Sequence, residues 1–179
     1  IESVDLNNVS NIGDGSFSGN KIKEVDLKNV LHIGNSAFSR NKIESVDLKN
    51  VSHLGDWAFF DNKIKEIDLK NVLHIGHSAF LENEIKEIDL KNVSYIGNEA
   101  FDENVELIQK GKTIRMIDGI ATILHKSIEV DGFEVFEAEF FNTKKRCFVA
   151  KKECFSAHGK TIKLAIEDVE FKFLQKNLD

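Results

Sequence analysis

The chain has 179 residues, a formal net charge of −6, two cysteines and no proline. Two cysteines cannot build the disulfide framework that stabilises many small secreted domains. No apolar run approaches the ~20 residues that a membrane-spanning helix needs. The acid excess is local, because residues 1–105 hold 18 acidic and 11 basic side chains while residues 106–179 hold 12 and 13. An acidic first part disfavours binding to nucleic-acid phosphates and favours a basic protein surface.

A period of 21 residues runs through the first 105 residues, with repeats that begin at Ile1, Ile22, Ile43, Ile64 and Ile85. The shared pattern is I-x-x-V/I-D-L-x-N-V-x-x-I/L-G-x-x-A/S-F-x-x-N-x. One unit of this length cannot bury its own apolar side, so the pattern predicts stacked coils around a continuous core. The sequence opens inside a repeat, without Met or a leader, and we therefore expect a fragment or a processed product.

Each position of the repeat predicts a ladder along the stack. Alternating apolar residues predict an inward-facing strand, as in Ile22, Val25 and Leu27. Five phenylalanines (Phe17, Phe38, Phe59, Phe80, Phe101) predict an aromatic spine. Five asparagines (Asn8, Asn29, Asn50, Asn71, Asn92) predict hydrogen bonds to turn backbone. Five glycines (Gly13, Gly34, Gly55, Gly76, Gly97) predict corners where neither a side chain nor a negative φ would fit.

The stretch I-K-E-V-D-L-K-N-V-L-H-I-G-N-S-A-F (22–38) resembles the BspA-type leucine-rich repeats of bacterial surface proteins. The resemblance covers residues 1 to about 105. The repeat departs from the family in being 21 residues rather than slightly longer, and in lacking proline and cysteine. The resemblance implies a β-rich leucine-rich-repeat solenoid that serves as an adhesion or protein-binding scaffold, without identifying a ligand.

After Phe101 the period ends, and residues 106–179 are expected to form a small separate α+β domain that caps the solenoid. Asp118-Gly119 and Asp131-Gly132 each lie between apolar stretches and predict two hairpins. Short strands are expected at 147–150 and 154–157, around Lys151-Lys152. Apolar residues at helical spacing predict a helix over 161–176.

Acidic residues recur at outward positions of the predicted strands. Each coil has one aspartate at the same strand position, and three coils have a glutamate two residues earlier on the same face. The candidate binding residues are Asp26, Asp47, Asp68, Asp89, Glu66 and Glu87, with Asp5 and Glu24 in the same ladders. Carboxylates at ~4.8 Å spacing repel one another, which a basic partner would relieve. The alternative is a solvated charge zipper, because Lys28, Lys49, Lys70 and Lys91 lie on the same face.

Three large apolar residues break the repeat pattern. Trp57, Phe60 and Leu81 stand where other coils have small or polar residues. Such clusters are typical anchors of protein interfaces. The alternatives are that these side chains fold back over the core edge or contacted a neighbouring chain.

Metal and catalytic sites are not expected. His32, His53 and His74 stack in line, so they do not converge on one tetrahedral point. Cys147 and Cys154 would face each other across a turn at Ala150-Lys151, but buried free thiols are favoured over a disulfide. Cys154 with His158 lacks a third, orienting group. We therefore expect no enzyme activity, cofactor or metal.

Two functions remain. The first is a non-catalytic protein-binding module of a bacterial cell-surface or secreted adhesin. The second is a cytoplasmic, phage-encoded inhibitor of anti-CRISPR type, whose acidic face blocks the basic nucleic-acid channel of a host RNA-guided nuclease. The abundance of Lys, Ile and Asn, typical of AT-rich bacterial or phage genomes, motivates the second. The compartment, the oligomeric state and the partner's identity stay open.

Overall fold

A computed structural model describes residues 1–176, and residues 177–179, the end of the chain, lie outside it. Residues 1–105 wind into stacked coils, most of which contribute two very short strands. The strands are β1 (Asn11–Ile12), β2 (Glu24–Val25), β3 (His32–Ile33), β4 (Ser45–Val46), β5 (His53–Leu54), β6 (Glu66–Ile67), β7 (His74–Ile75), β8 (Glu87–Asp89) and β9 (Tyr95–Ile96). β1, β3, β5, β7 and β9 form one parallel sheet, and β2, β4 and β6 form another. The predicted solenoid is confirmed.

The 21-residue register holds along both sheets. His32 pairs with His53, and Ser45 pairs with Glu66. Because equivalent residues are neighbours, the phenylalanine rings stack with centroids 5.3, 5.4, 5.6 and 5.5 Å apart from Phe17 to Phe101. The predicted aromatic spine is therefore present, and it occupies the centre of the solenoid core.

The corner glycines are required by close backbone contact and not by φ. A Cβ atom at Gly76 would lie 2.5 Å from the carbonyl carbon of Gly55, and one at Gly97 would lie 2.4 Å from the amide nitrogen of His77. The expectation that a negative φ would not fit is wrong, because none of these five glycines has a positive φ. Positive φ occurs two positions later, as in Gly15 and Trp57. A side chain at these positions would therefore clash with the backbone of the preceding coil.

Two asparagine ladders bind the coils together. In the predicted ladder, the Asn29 amide donates to the Asn7 carbonyl at 2.6 Å, and the Asn92 amide donates to Lys70 at 2.9 Å. A second, inner ladder contains Asn41 and Asn62, which are buried inside the solenoid. Their side chains accept from one coil and donate to others, so they connect successive coils through hydrogen bonds.

The solenoid continues into the second part through β10 (Glu106–Gln109). β10 pairs in parallel with β8, with Leu107 opposite Ile88, and so adds the first strand of an incomplete sixth coil. It also pairs antiparallel with β11. The side chain of Asn142 accepts from the Ile96 amide at 3.0 Å and donates to the Ile96 carbonyl at 2.7 Å. These contacts close the C-terminal end of the coil stack.

The second part is a curled antiparallel sheet with one helix. Its further elements are β11 (Lys112–Ile117), β12 (Ile120–Val130), β13 (Phe133–Phe140), β14 (Arg146–Lys152), β15 (Phe155–Gly159) and α1 (Ile162–Lys176). The strand order is β15-β14-β13-β12-β11-β10-β8. Both Asp-Gly turns have positive φ at both residues, as a two-residue hairpin of this type requires. The predicted hairpins and helix are confirmed.

Two local predictions differ from the structure. Residues 120–130 form one strand with an irregularity between Leu124 and Ser127, where two strands were expected. The turn between β14 and β15 lies at Glu153-Cys154 and not around Lys151, because Lys151 and Lys152 pair with Ser156 and Phe155.

The helix packs on one face of this sheet. Ala165 and Val169 are buried in a cluster with Val135, Ala150 and Ala157. Among residues 1–176, no helix combines the length and the apolar character needed to cross a membrane.

Candidate binding surfaces

The aspartates at outward strand positions also stabilise the turns that follow them. Asp26 Oδ1 accepts the backbone N–H of Lys28 at 3.0 Å, and Asp47 Oδ1 accepts that of Lys49 at 2.9 Å. The same bond recurs from Asp5 to Asn7, from Asp68 to Lys70 and from Asp89 to Lys91. This Asx turn gives the aspartate ladder a structural role that the sequence reasoning missed.

Part of the acidic face is neutralised within the chain. Lys28 and Lys49 each pair at 2.9 Å with the aspartate two residues earlier, and Lys91 reaches Asp68 at 3.6 Å. Within the described residues, five acids of this face have no cation within 4.0 Å; they are Asp5, Glu24, Glu66, Glu87 and Asp89. The surplus of negative charge therefore lies mainly toward the C-terminal coils.

The paired aspartates are held in the charged form. For Asp26, the backbone N–H of Lys28 and then its ammonium group lower the pKa of the carboxyl. For Asp47, the hydrogen bond from the Lys49 ammonium group contributes most to lowering the pKa of the carboxyl. The same bond raises the pKa of Lys49. All these groups are exposed, so the zipper is fixed in geometry but weak in energy.

The apolar break in the repeat lies on a different side of the solenoid from the acids. Trp57 is 41% exposed, and its ring meets His77 edge-on with centroids 4.9 Å apart. Phe60 and Leu81 are half-buried in one ladder, and the guanidinium of Arg40 lies 6.0 Å from the Phe60 ring centre. The acidic candidates lie in or directly after β2, β4 and β6 of the three-stranded sheet and in β8 of the seven-stranded sheet. Trp57, Phe60 and Leu81 lie in the turn segments outside these strands.

A third surface was not anticipated as a binding face. The rings of His32, His53, His74 and Tyr95 stack along the five-stranded sheet, with centroids 5.3, 5.8 and 4.4 Å apart. Leu31, Leu73 and Tyr95 are 47%, 44% and 43% exposed beside or within this stack. Burial first, and then the charge of His53, lowers the pKa of His74. In the sequence, the signal for this surface was the leucine at positions 31 and 73, where the other coils have serine.

Thr122, His158 and Asp118 form a polar network in the second part of the chain. Their order is that of a nucleophile, a base and an acid in a catalytic triad. His158 Nε2 lies 2.7 Å from Thr122 Oγ1, and His158 Nδ1 lies 3.3 Å from Asp118 Oδ2. Lys172 also pairs with Asp118 and donates to the Ser156 carbonyl at 2.8 Å. Thr122 is fully buried, so no substrate reaches its hydroxyl. The network ties the β11–β12 turn to β15 and α1 and is structural.

Asp118 is strongly ionised in this network. Burial alone would raise the pKa of its carboxyl, but hydrogen bonds from His158 and Lys172 outweigh burial and lower the pKa to about 2. Sequence reasoning missed the network because its members lie up to 54 residues apart.

The cysteines form no pair. Cys147 is buried opposite Ala138, and Cys154 is exposed in the β14–β15 turn, so only Cys147 matches the expected buried thiol. Burial is the main reason that the pKa of the Cys147 thiol is raised. Within residues 1–176, no group of three or more His, Cys, Asp or Glu side chains could hold a metal ion.

Searches of curated proteins and of solved structures gave no match to this chain. The family model described as "BspA type Leucine rich repeat region (6 copies)" matches residues 1–108. The end of that match coincides with β10, the strand that begins the incomplete sixth coil. A match over more than half of the chain establishes that this protein belongs to the BspA-type leucine-rich repeat family.

Proposed function

We propose that this chain is a non-catalytic protein-binding module of a bacterial cell-surface adhesin, and that it presents its acidic solenoid face to a basic protein partner. The family supports protein interaction in general. The observation that carries the choice of face is the set of acids without an internal cation, of which Glu66, Glu87 and Asp89 lie in the contacting strands β6 and β8. A solvated structural zipper would need no such surplus.

The rigidity of this face favours its use in recognition. Asp89 is fixed by its bond to the Lys91 amide at 3.0 Å, and Glu87 lies in a strand paired on β10. Carboxylates held in place lose little conformational freedom when a partner binds. Their charges also steer a basic partner toward the face.

The structure offers a clean charge-removal experiment. Asp89→Asn keeps a side-chain oxygen for the Lys91 amide and removes only the charge, so it can be combined with Glu66→Gln and Glu87→Gln without loss of the turn. Binding partners are isolated from host surface extracts with the immobilised chain, and their affinities are measured by surface plasmon resonance. The triple variant should weaken binding by about tenfold or more and flatten its salt dependence.

The control removes equal charge from another surface. Asp131→Asn, Glu134→Gln and Glu137→Gln change exposed acids of the β12–β13 hairpin and should leave the affinity within about twofold. Equal effects of the two triple variants, or no retained protein partner, would contradict the proposal.

A contribution from the apolar break is tested separately. Trp57→Ala removes a side chain that is 41% exposed and contacts His77. If Trp57, Phe60 and Leu81 belong to the interface, this change weakens binding by about tenfold or more, since anchoring aromatic residues dominate interface energy. An unchanged affinity would leave the acidic face as the contact.

The acidic face also fits the alternative function, an inhibitor that occupies a basic nucleic-acid channel. The two proposals differ in partner and compartment. An inhibitor would co-purify with an RNA-guided nuclease and compete with its RNA, and the acidic triple variant would lose both properties. Binding only to host surface proteins would favour the adhesin.

A further inference from the structure

The face of the curled sheet opposite the helix holds an open cavity, the cup, that none of the surfaces above uses. Its volume is about 710 Å³. One wall is the end of the last full coil and the others are β11 to β15. The lining residues that matter here are Leu124, Phe136 and Val149 on the floor and Arg115, Lys151 and Glu153 at the mouth.

Strand alternation explains why the floor is apolar. Side chains of successive strand residues point to opposite faces, so β13 sends Val135 toward α1 and Phe136 into the cup. Phe136 and Leu124 pack on a cluster that also contains Ile117 and Val149. Neither Phe136 nor Leu124 is fully buried, which leaves apolar surface open to the cavity.

The charges at the mouth balance. Arg115 and Lys151 are opposed by Glu103 and Glu153 among the lining residues. Arg115 additionally lies 3.7 Å from Glu106, and His125 lies 3.8 Å from Glu139. The mouth therefore offers no excess of either sign to a charged ligand, while its side chains supply hydrogen-bond donors and acceptors.

We propose that the cup binds an uncharged small molecule with an apolar body and one or two hydrogen-bonding groups. The volume lies within the ~300–1,000 Å³ of typical ligand sites. Five of the fourteen lining residues are apolar and meet at the floor, and the others are mostly polar or charged, so the cup has one apolar side and a polar mouth. The apolar body covers Leu124 and Phe136, and the polar group lies at the mouth. This site is independent of the acidic solenoid face.

The probe for the test is N-phenyl-1-naphthylamine, an uncharged fluorophore that brightens in apolar surroundings. We expect saturable binding of one probe per chain, displaced by 1-decanol. Decanoate, with the same chain length and a charged head, should displace it at least about tenfold less well at pH 8, because the mouth does not compensate a buried charge. Equal or better displacement by decanoate would overturn the uncharged class.

Leu124→Trp fills the cup, and Ile128→Trp on the same strand is the matched control. Ile128 is 49% exposed and does not line the cup. Leu124→Trp should lower probe affinity by about tenfold or more, and Ile128→Trp should leave it within about twofold. Unchanged binding by Leu124→Trp, or no saturable binding by the native chain, would overturn the proposal.

A second measurement covers the case in which Leu124→Trp does not fold. Cys154 lines the mouth and is exposed, whereas Cys147 is buried. Alkylation of the native chain with a bulky maleimide should block the mouth and reduce probe binding. Cys154→Ser treated in the same way should bind normally. Full binding after complete alkylation of Cys154 would also overturn the proposal.

Discussion

Replacement of Asn62 by alanine tests the inner asparagine ladder. Asn62 is 2% exposed, its Oδ1 accepts the Ile43 amide at 3.1 Å, and its Nδ2 donates to Phe38 at 2.9 Å and to Phe59 at 3.1 Å. The two carbonyls keep a second donor, because Asn41 also bonds Phe38 and Asn83 also bonds Phe59. The Ile43 amide has no substitute partner.

The cost follows from this count. An unpaired buried N–H costs about 1–3 kcal/mol, and each lost bond to the two carbonyls costs about 1 kcal/mol. We expect Asn62→Ala to lower the free energy of unfolding by about 4 kcal/mol. The measurement is urea denaturation followed by circular dichroism, with the slope compared as well as the midpoint because repeat proteins can unfold in parts.

Asn50→Ala is the control for that prediction. Asn50 is exposed in the outer ladder and donates to the Lys28 carbonyl, so water can replace its bond. Its loss should cost about 1 kcal/mol. Equal destabilisation by the two changes would refute the view that burial makes the inner ladder the main polar connection between coils.

Three further outcomes are expected. Gly76→Ala should destabilise the solenoid by about 2 kcal/mol or more in the same denaturation assay, because its Cβ would lie 2.5 Å from the Gly55 carbonyl carbon. Asp118→Asn should lower the free energy of unfolding by about 1–2 kcal/mol at pH 7, a value discounted because the Asp118 side chain is one-third exposed. The pKa of Asp118 is about 2 in the folded chain and 3.8 ordinarily, so thermal melts should show this difference in stability vanishing as the pH falls from about 4 to 2. NMR titration should place the midpoint of His74 below 6.5, and His53→Asn should raise it.

The repeated part of the fold was predictable because each of its contacts is made five times. Phe59 and Asn50 stand in columns whose spacing reveals the coil. The role of Asn62 was missed, although it recurs with the same period, because burial and the direction of its amide are not visible in a sequence. For the same reason the charge zipper between Asp47 and Lys49 could be weighed from the sequence, but the bond from the Lys49 backbone amide to Asp47 could not.

The second part was less predictable because its contacts are made once. Asp-Gly pairs predict hairpins through local backbone preference, and both hairpins formed. The β14–β15 turn moved to Glu153-Cys154, where no glycine or asparagine indicates it. The contact between Asp118 and His158 and the cavity beside Leu124 could not be predicted, because both depend on how the whole sheet curls, and no short segment of sequence determines that.

The junction at β10 separates the number of coils from the structure that ends the stack, so evolution can change one without the other. Toward the solenoid, β10 and Asn142 bond to the last full coil, at Ile88 and Ile96. Whole units of 21 residues could therefore be gained or lost upstream without altering this terminator. The length of the presented surface would vary by duplication alone, while the means of ending it stays constant.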